Sequence, residues 1–248
     1  MSAALLPQWR DDWALFLDVD GTLLEIAATP VEVRVPSRAI RVLAVLHLKL
    51  HGAVAFVSGR PVDDLDRLFA PVRLPAAGVH GAERRDSVGA MHRAAHGAGL
   101  APARQLLRAW GAAHAGAFVE DKGTALALHY RTAPGLEPAA RRVATDALAA
   151  VGAGFHLQQG KMVFEIKPDS VSKGHAIAAF MQEPPFHGCV PVFVGDDATD
   201  EDGFEVVDRL GGHSIAVGLG RSTRARWRLR DERAVLDWLE HGAYEEGG

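Results

Sequence analysis

The stretch WALFLDVDGT, residues 13–22, decides the architecture: five apolar residues run without alternation into two aspartates, a glycine and a threonine. A strand with one wet face alternates apolar and polar side chains, whereas an unbroken apolar run reads as a strand covered on both faces. Three more runs end as abruptly, residues 53–57 before SGR, 191–194 before GDD and 214–217 before GLG. Between them lie helical periodicities over 37–50, with Ser37 as the expected N-cap, and over 63–70, 173–182, 202–210 and 231–241. Strands alternating with helices imply a Rossmann-like α/β core with a parallel sheet and right-handed crossovers. Ligands of such sheets bind beyond the carboxyl ends of the strands, and here acidic and small polar residues gather at those ends.

The middle of the chain has a different period. AFVEDKGTALALHYR, residues 117–131, reads as two strands about a turn near 122–123, with Leu126, Leu128 and Tyr130 on one face and His129 and Arg131 on the other. An alanine-rich amphipathic helix follows over 138–151. FHLQQGKMVFEIK, residues 155–167, reads as a second hairpin broken at Gly160, its second strand setting Lys161, Val163 and Glu165 against Met162, Phe164 and Ile166. The expected organisation is a core of residues 1–100 and 169–248, interrupted at 101–168 by a smaller α+β unit whose antiparallel sheet has one polar face.

Composition narrows the function classes. The chain of 248 residues is 48% hydrophobic and 23% charged, which excludes general disorder. A net charge of −4 argues against a nucleic-acid or anionic-membrane partner. The basic cluster Arg221, Arg224, Arg226, Arg228 and Arg230 alternates with small and apolar residues and reads as a solvated face. The single cysteine, Cys189, excludes an intramolecular disulfide and a thiolate metal site, and reads as a buried inert thiol. MSAALLPQWRDDW lacks the pattern of a secretory leader, and no uncharged apolar stretch approaches the roughly 18–20 residues that span a bilayer. A reducing, cytoplasmic setting is expected.

Two readings are open for DVDGT. It is an Asp-rich turn, or Asp18 attacks phosphorus to form an aspartyl-phosphate while Asp20 protonates the leaving oxygen and then activates water. Gly21 would let backbone N–H groups approach phosphoryl oxygens. GDDATDED, residues 195–202, is an acidic helix start, or its acids are offset by a hard divalent cation such as Mg²⁺. Asp196, nearest the strand end, is the expected ligand and Asp200 an outer or water-mediated partner. Ser58 after one strand and Lys173 at a helix start are expected to hold a phosphoryl group.

The order DxDGT, Ser, Lys, GDDxxxD resembles the four motifs of the haloacid dehalogenase superfamily of phosphatases. That resemblance implies a cation held by Asp18, the main-chain carbonyl of Asp20 and Asp196, and a substrate-selecting cap in the insertion. GVHGAE, VEDKGTALALHYR, GKMVFEIKP and FVGDDATDEDGF are similar to the trehalose-6-phosphate phosphatases. The family would place His80 near the substrate, with Glu120, Lys122 and Glu165 on the sugar hydroxyls. Glu120 and Lys122 share one face of their strand, as Lys161 and Glu165 do of theirs. Lys167 stands where the family more often has Arg. The implied activity is Mg²⁺-dependent hydrolysis of trehalose 6-phosphate, in functional pairing with the synthase that makes it. Hydrolysis of another phosphosugar such as sucrose 6-phosphate, and a non-catalytic sugar-phosphate-binding regulator, are the alternatives.

Overall fold

Trp13–Leu17 forms the strand β1, and all five of its side chains are buried. Trp13, Leu15 and Leu17 belong to one hydrophobic cluster and Ala14 and Phe16 to another, so the run does not alternate because both faces are dry. The computed structural model describes residues 6–26, 33–93, 97–169 and 171–244, so the first five residues of the N-terminal stretch read above lie outside it. After β1 come α1 (Ser37–Lys49), β2 (Val54–Val57), α2 (Val62–Leu68), β3 (Ala76–Gly78), β4 (Glu83–Arg85) and β5 (Met91–Arg93). An insertion carries α3 (Ala101–Ala113), β6 (Phe118–Asp121), β7 (Leu126–His129), α4 (Glu137–Val151), β8 (Phe155–Gly160) and β9 (Val163–Pro168). The chain returns through α5 (Lys173–Phe180), β10 (Val190–Gly195), α6 (Glu201–Arg209), β11 (His213–Val217), β12 (Trp227–Leu229) and α7 (Glu232–Tyr244).

Two compact units result, Met1–His92 with Ser172–Gly248, and Arg93–Val171. The first is built on the sheet β12-β11-β10-β1-β2-β3-β4-β5. From β12 to β3 neighbouring strands pair in parallel, and β4 turns antiparallel to β3. Side chains of α1, α2 and α7 cover one face, among them Leu43, Leu65 and Leu239; α5 and α6 cover the other with Ile177, Phe180, Phe204 and Val207. Burying each such side chain contributes about 1.5–3 kcal/mol. Register sets Leu17 level with Val194 of β10, so the residues after both strands emerge side by side.

The second unit is a four-stranded antiparallel sheet, β6-β7-β9-β8. Leu126, Leu128, Phe164 and Ile166 pack with Ala103 and Leu107 of α3 and Ala140, Ala144 and Ala147 of α4. Leu100 belongs to this core, which is why the unit begins before residue 101. The opposite face carries rows fixed by register: Phe118, His129, Val163 and Gly160 in one, Glu120, Ala127, Glu165 and Gln158 in the next.

Several local expectations are corrected. Pro36, with φ −60 and ψ 137, caps α1, and Ser37 takes the first helical position without a capping bond. The strand expected from Lys161 begins at Val163, because Met162 has φ +62 and closes the turn. The arginine cluster is paired rather than merely solvated: Arg221 and Arg224 reach Glu201, Arg224 also Glu205, and Arg226 Asp208. Cys189 is half-buried, its thiol donating to Pro185 O at 3.4 Å.

Candidate active site

Asp18 follows β1 directly and is 4% exposed. Its N–H donates to Val194 O at 3.0 Å, tying it to the end of β10. The chain then folds back on itself: the N–H groups of Leu23 and Leu24 both donate to Val19 O at 2.9 Å, and Gly21 N–H to Leu24 O at 2.7 Å. Gly21 has φ +83, and a Cβ there would overlap the Asp196 carboxylate. Glycine is therefore required twice, for the left-handed turn and for the close approach of the two loops. The Thr22 hydroxyl stands 3.4 Å from both Asp18 Oδ2 and Asp196 Oδ1.

Lys173 is the first residue of α5, whose N-cap Ser172 accepts from His175 N–H at 3.2 Å. Its ammonium donates to Asp18 Oδ1 at 2.8 Å and to Asp200 Oδ1 at 2.6 Å, in surroundings closed to water. Burial works against that charge, yet Asp18 and Asp200 outweigh it and hold the ammonium above the ordinary lysine range. The three acids are short of positive charge. Burial, aided by neighbouring Asp196, pushes Asp18 up to about 7 against the pull of Lys173. Asp200 rises to about 7, mainly by burial, and Asp196 to about 6 by burial with Asp200 and Asp197 nearby.

The acids of GDDATDED divide their tasks. Asp197 caps the turn that Asp200 closes, accepting from Ala198 N–H, while Asp200 accepts from Asp197 N–H at 2.9 Å. Glu201 pairs with the arginines, and Asp202 accepts from Gly174 N–H at 3.2 Å. Asp196 stands beside Asp18, the Thr22 hydroxyl 3.4 Å from a carboxylate oxygen of each. One carboxylate atom from each of Asp18, Asp196 and Asp200 lies within 4.8 Å of the others. Three carboxylates against one ammonium leave −3 + 1 = −2 when all are ionised, and buried charge needs an opposite. An all-oxygen donor set with that deficit suits a hard divalent cation of the Mg²⁺ type.

Asp20 does not point its carboxylate into this cluster. Both its oxygens accept from Arg60, Oδ2 from Nε and Oδ1 from Nη2, each at 2.6 Å. Arg60 is part of the SGR motif whose buried Ser58 hydroxyl accepts from Arg60 N–H at 3.2 Å. Sequence reasoning passed over this arginine, because a partner 40 positions away in a loop leaves no periodic signal. The same loop seats His80: its N–H donates to Ser58 O at 2.9 Å, and Val79 N–H to Arg60 O at 3.0 Å. Val79, His80 and Gly81 have φ +50, +55 and +101 in succession. For a β-branched residue that is strained, and such strain concentrates at functional sites. A Cβ on Gly59 would meet the His80 ring at 2.8 Å, so the imidazole occupies the space a side chain there would need.

In the second unit, Lys122 Nζ donates to Glu165 Oε1 at 2.9 Å, with both side chains nearly enclosed. Glu120 Oε2 is 3.0 Å from His129 Nε2. The His129 bond is the largest cause holding the Glu120 carboxyl below the usual range, with Lys122 adding to it. Beside Glu165 in the row, the Gln158 amide oxygen is buried without a hydrogen-bond partner among the described residues. Lys167 is buried one row further on; Arg131 and Lys161 are exposed.

A family model described as trehalose-phosphatase matches residues 16–233. Over 235 residues the chain is 48% identical to the trehalose-6-phosphate phosphatase of Escherichia coli, covering 94% of this chain and 88% of that one. It is 48% identical over 208 residues to a probable trehalose-phosphate phosphatase of Sinorhizobium fredii, covering 84% and 78%. The fold is shared with the C-terminal domain of C. albicans trehalose-6-phosphate phosphatase, at a TM-score of 0.80 and 21% identity over 93% of this chain and 91% of that one.

Proposed function

We propose, from the premise that this chain belongs to the trehalose-phosphatase family, that it hydrolyses trehalose 6-phosphate to trehalose and phosphate through an aspartyl-phosphate on Asp18. The observation that carries the reading is the buried cluster of Asp18, Asp196 and Asp200 around Lys173 at the ends of β1 and β10. Lys173 engages Oδ1 of Asp18, so Oδ2 is the oxygen that attacks phosphorus. As that bond forms, the phosphorus–oxygen bond to the sugar breaks and Asp20 gives its proton to the departing oxygen. To donate, Asp20 must free an oxygen from the clasp of Arg60. Water then gives a proton to Asp20 and attacks phosphorus, and the Asp18–phosphorus bond breaks. Lys173, the Ser58 hydroxyl and the loop amides balance the charge on the phosphoryl oxygens.

A bound Mg²⁺, held by Asp18, Asp196 and the main-chain carbonyl of Asp20, would supply the positive charge that the cluster lacks, with Asp200 behind it. His80, Glu120, Lys122 and Glu165 are assigned to the sugar, whose hydroxyls need paired donors and acceptors when they leave water. The reading includes a cytoplasmic setting; no helix of the described residues is long and apolar enough to cross a membrane.

The test is phosphate release from trehalose 6-phosphate, sucrose 6-phosphate and glucose 6-phosphate, each with and without EDTA. Preference for the trehalose ester with loss of turnover in EDTA is expected. Preference for another ester would overturn the substrate, and binding without metal-dependent turnover would favour a regulator.

A further inference from the structure

We propose that His129 is a positioning residue for sugar recognition, holding the Glu120 carboxylate in place as an acceptor for a substrate hydroxyl while Phe118 holds His129. The inference rests on the assignment of Glu120 to the sugar and adds a residue to which that assignment gave no part. Register sets Phe118 opposite His129 and Glu120 opposite Ala127. Glu120 and His129 are therefore diagonal neighbours on the open face, a separation that long side chains span. Their contact, Nε2 to Oε2 at 3.0 Å, has one reasonable polarity. An ionised carboxylate only accepts, so Nε2 carries the proton. Phe118 is 53% exposed, and its ring lies on the imidazole at 4.4 Å between centroids with only 8° between planes. That stack fixes the plane of the ring, and hence the direction of its N–H.

The consequence falls on Glu120. One of its oxygens is spoken for, its side chain keeps 36% of its exposure, and the second oxygen remains to accept. Across the sheet, Ala127 stands between Glu120 and Glu165 in the row and is itself buried beneath its neighbours. The titratable and charged groups that face Glu120 are His129 on β7, Lys122 just past the end of β6 and Glu165 on β9; the first two favour its ionised form and the third opposes it. A glutamate ordered before the sugar arrives loses less side-chain freedom on binding than one that must be collected from solvent.

The experiment compares His129→Ala, His129→Gln and Glu120→Ala on trehalose 6-phosphate and on p-nitrophenyl phosphate, an ester without a sugar. For His129→Ala, the ratio of kcat/KM between the two esters should fall about tenfold, through KM for the sugar ester. His129→Gln, which keeps an N–H donor, should recover most of that loss. An equal fall on both esters, or no recovery by Gln, would overturn the proposal. A fall for Glu120→Ala with none for His129→Ala would overturn it while sparing the sugar assignment. No discrimination by Glu120→Ala would remove that assignment itself.

Discussion

The two units treat their acids in opposite ways. At the ends of β1 and β10, the buried Asp18 and Asp200 and the half-buried Asp196 share one ammonium, and all three are pushed up, to about 7, 7 and 6 respectively. On the open face of the inserted sheet each acid has its own hydrogen-bonding partner, Lys122 for Glu165 and His129 for Glu120, and Glu120 is held down. A cluster short of positive charge is built to receive it, from a cation on one side and with a phosphoryl group to be balanced on the other. A face whose acids already hold partners of their own suits a ligand without charge, such as the hydroxyls of a sugar. On the proposed assignment, chemistry and selection are separated by electrostatics as well as by position in the chain.

That separation can be broken most violently at the nucleophile. Asp18→Asn should lower turnover by about 10⁴-fold or more on every phosphate ester, whatever the alcohol. If only the sugar ester suffered, the nucleophile would lie elsewhere. Arg60→Met should lower kcat by about 10²-fold on all esters with little change in KM, since Asp20 would keep its chemistry and lose its orientation. A KM effect confined to trehalose 6-phosphate would move Arg60 to the side of selection. Glu165→Ala belongs to the other region: kcat/KM should fall about tenfold to a hundredfold on trehalose 6-phosphate and less than about threefold on p-nitrophenyl phosphate. Equal losses would erase the contrast.

The gentlest probe is pH. A cation binds these acids in their ionised form, so affinity should rise as pH climbs through the window of about 6 to 7 in which they lose protons. The slope is about tenfold per pH unit for each proton released, read by Mg²⁺ titration calorimetry in buffers of different ionisation enthalpy. Glu120, being held down, stays ionised below the ordinary carboxylate range and adds no step there. A flat Mg²⁺ affinity across the window would show the cluster already ionised without the cation.

Much of this was legible from residue order. The apolar runs before DVDGT, SGR and GDD place β1, β2 and β10, because a strand buried on both faces announces itself by failing to alternate. The hairpin parity of residues 117–131 places Leu126 and Leu128 inward and His129 outward. What escaped has physical reasons. β3 is Ala-Ala-Gly and β4 is Glu-Arg-Arg, too short and too poor in β-branched residues to read as strands; their neighbours make them so. Helix α3 opens with alanine and proline beside a glycine-rich turn and has no side-chain cap, so no capping residue marks its start. The clasp of Arg60 on Asp20 and the seat of Lys173 between Asp18 and Asp200 depend on which loops meet, and no local period encodes that.

The close contact of His80 on Gly59 reaches beyond the site itself. A Cβ at 59 would meet the imidazole, and the imidazole is held there by a loop with three consecutive residues of positive φ. The dependence runs one way: position 59 has no room for a side chain while His80 stays in place, whereas a smaller residue at 80 meets no obstacle from Gly59. Enlargement at 59 is thus open only to a chain that has already given up the imidazole.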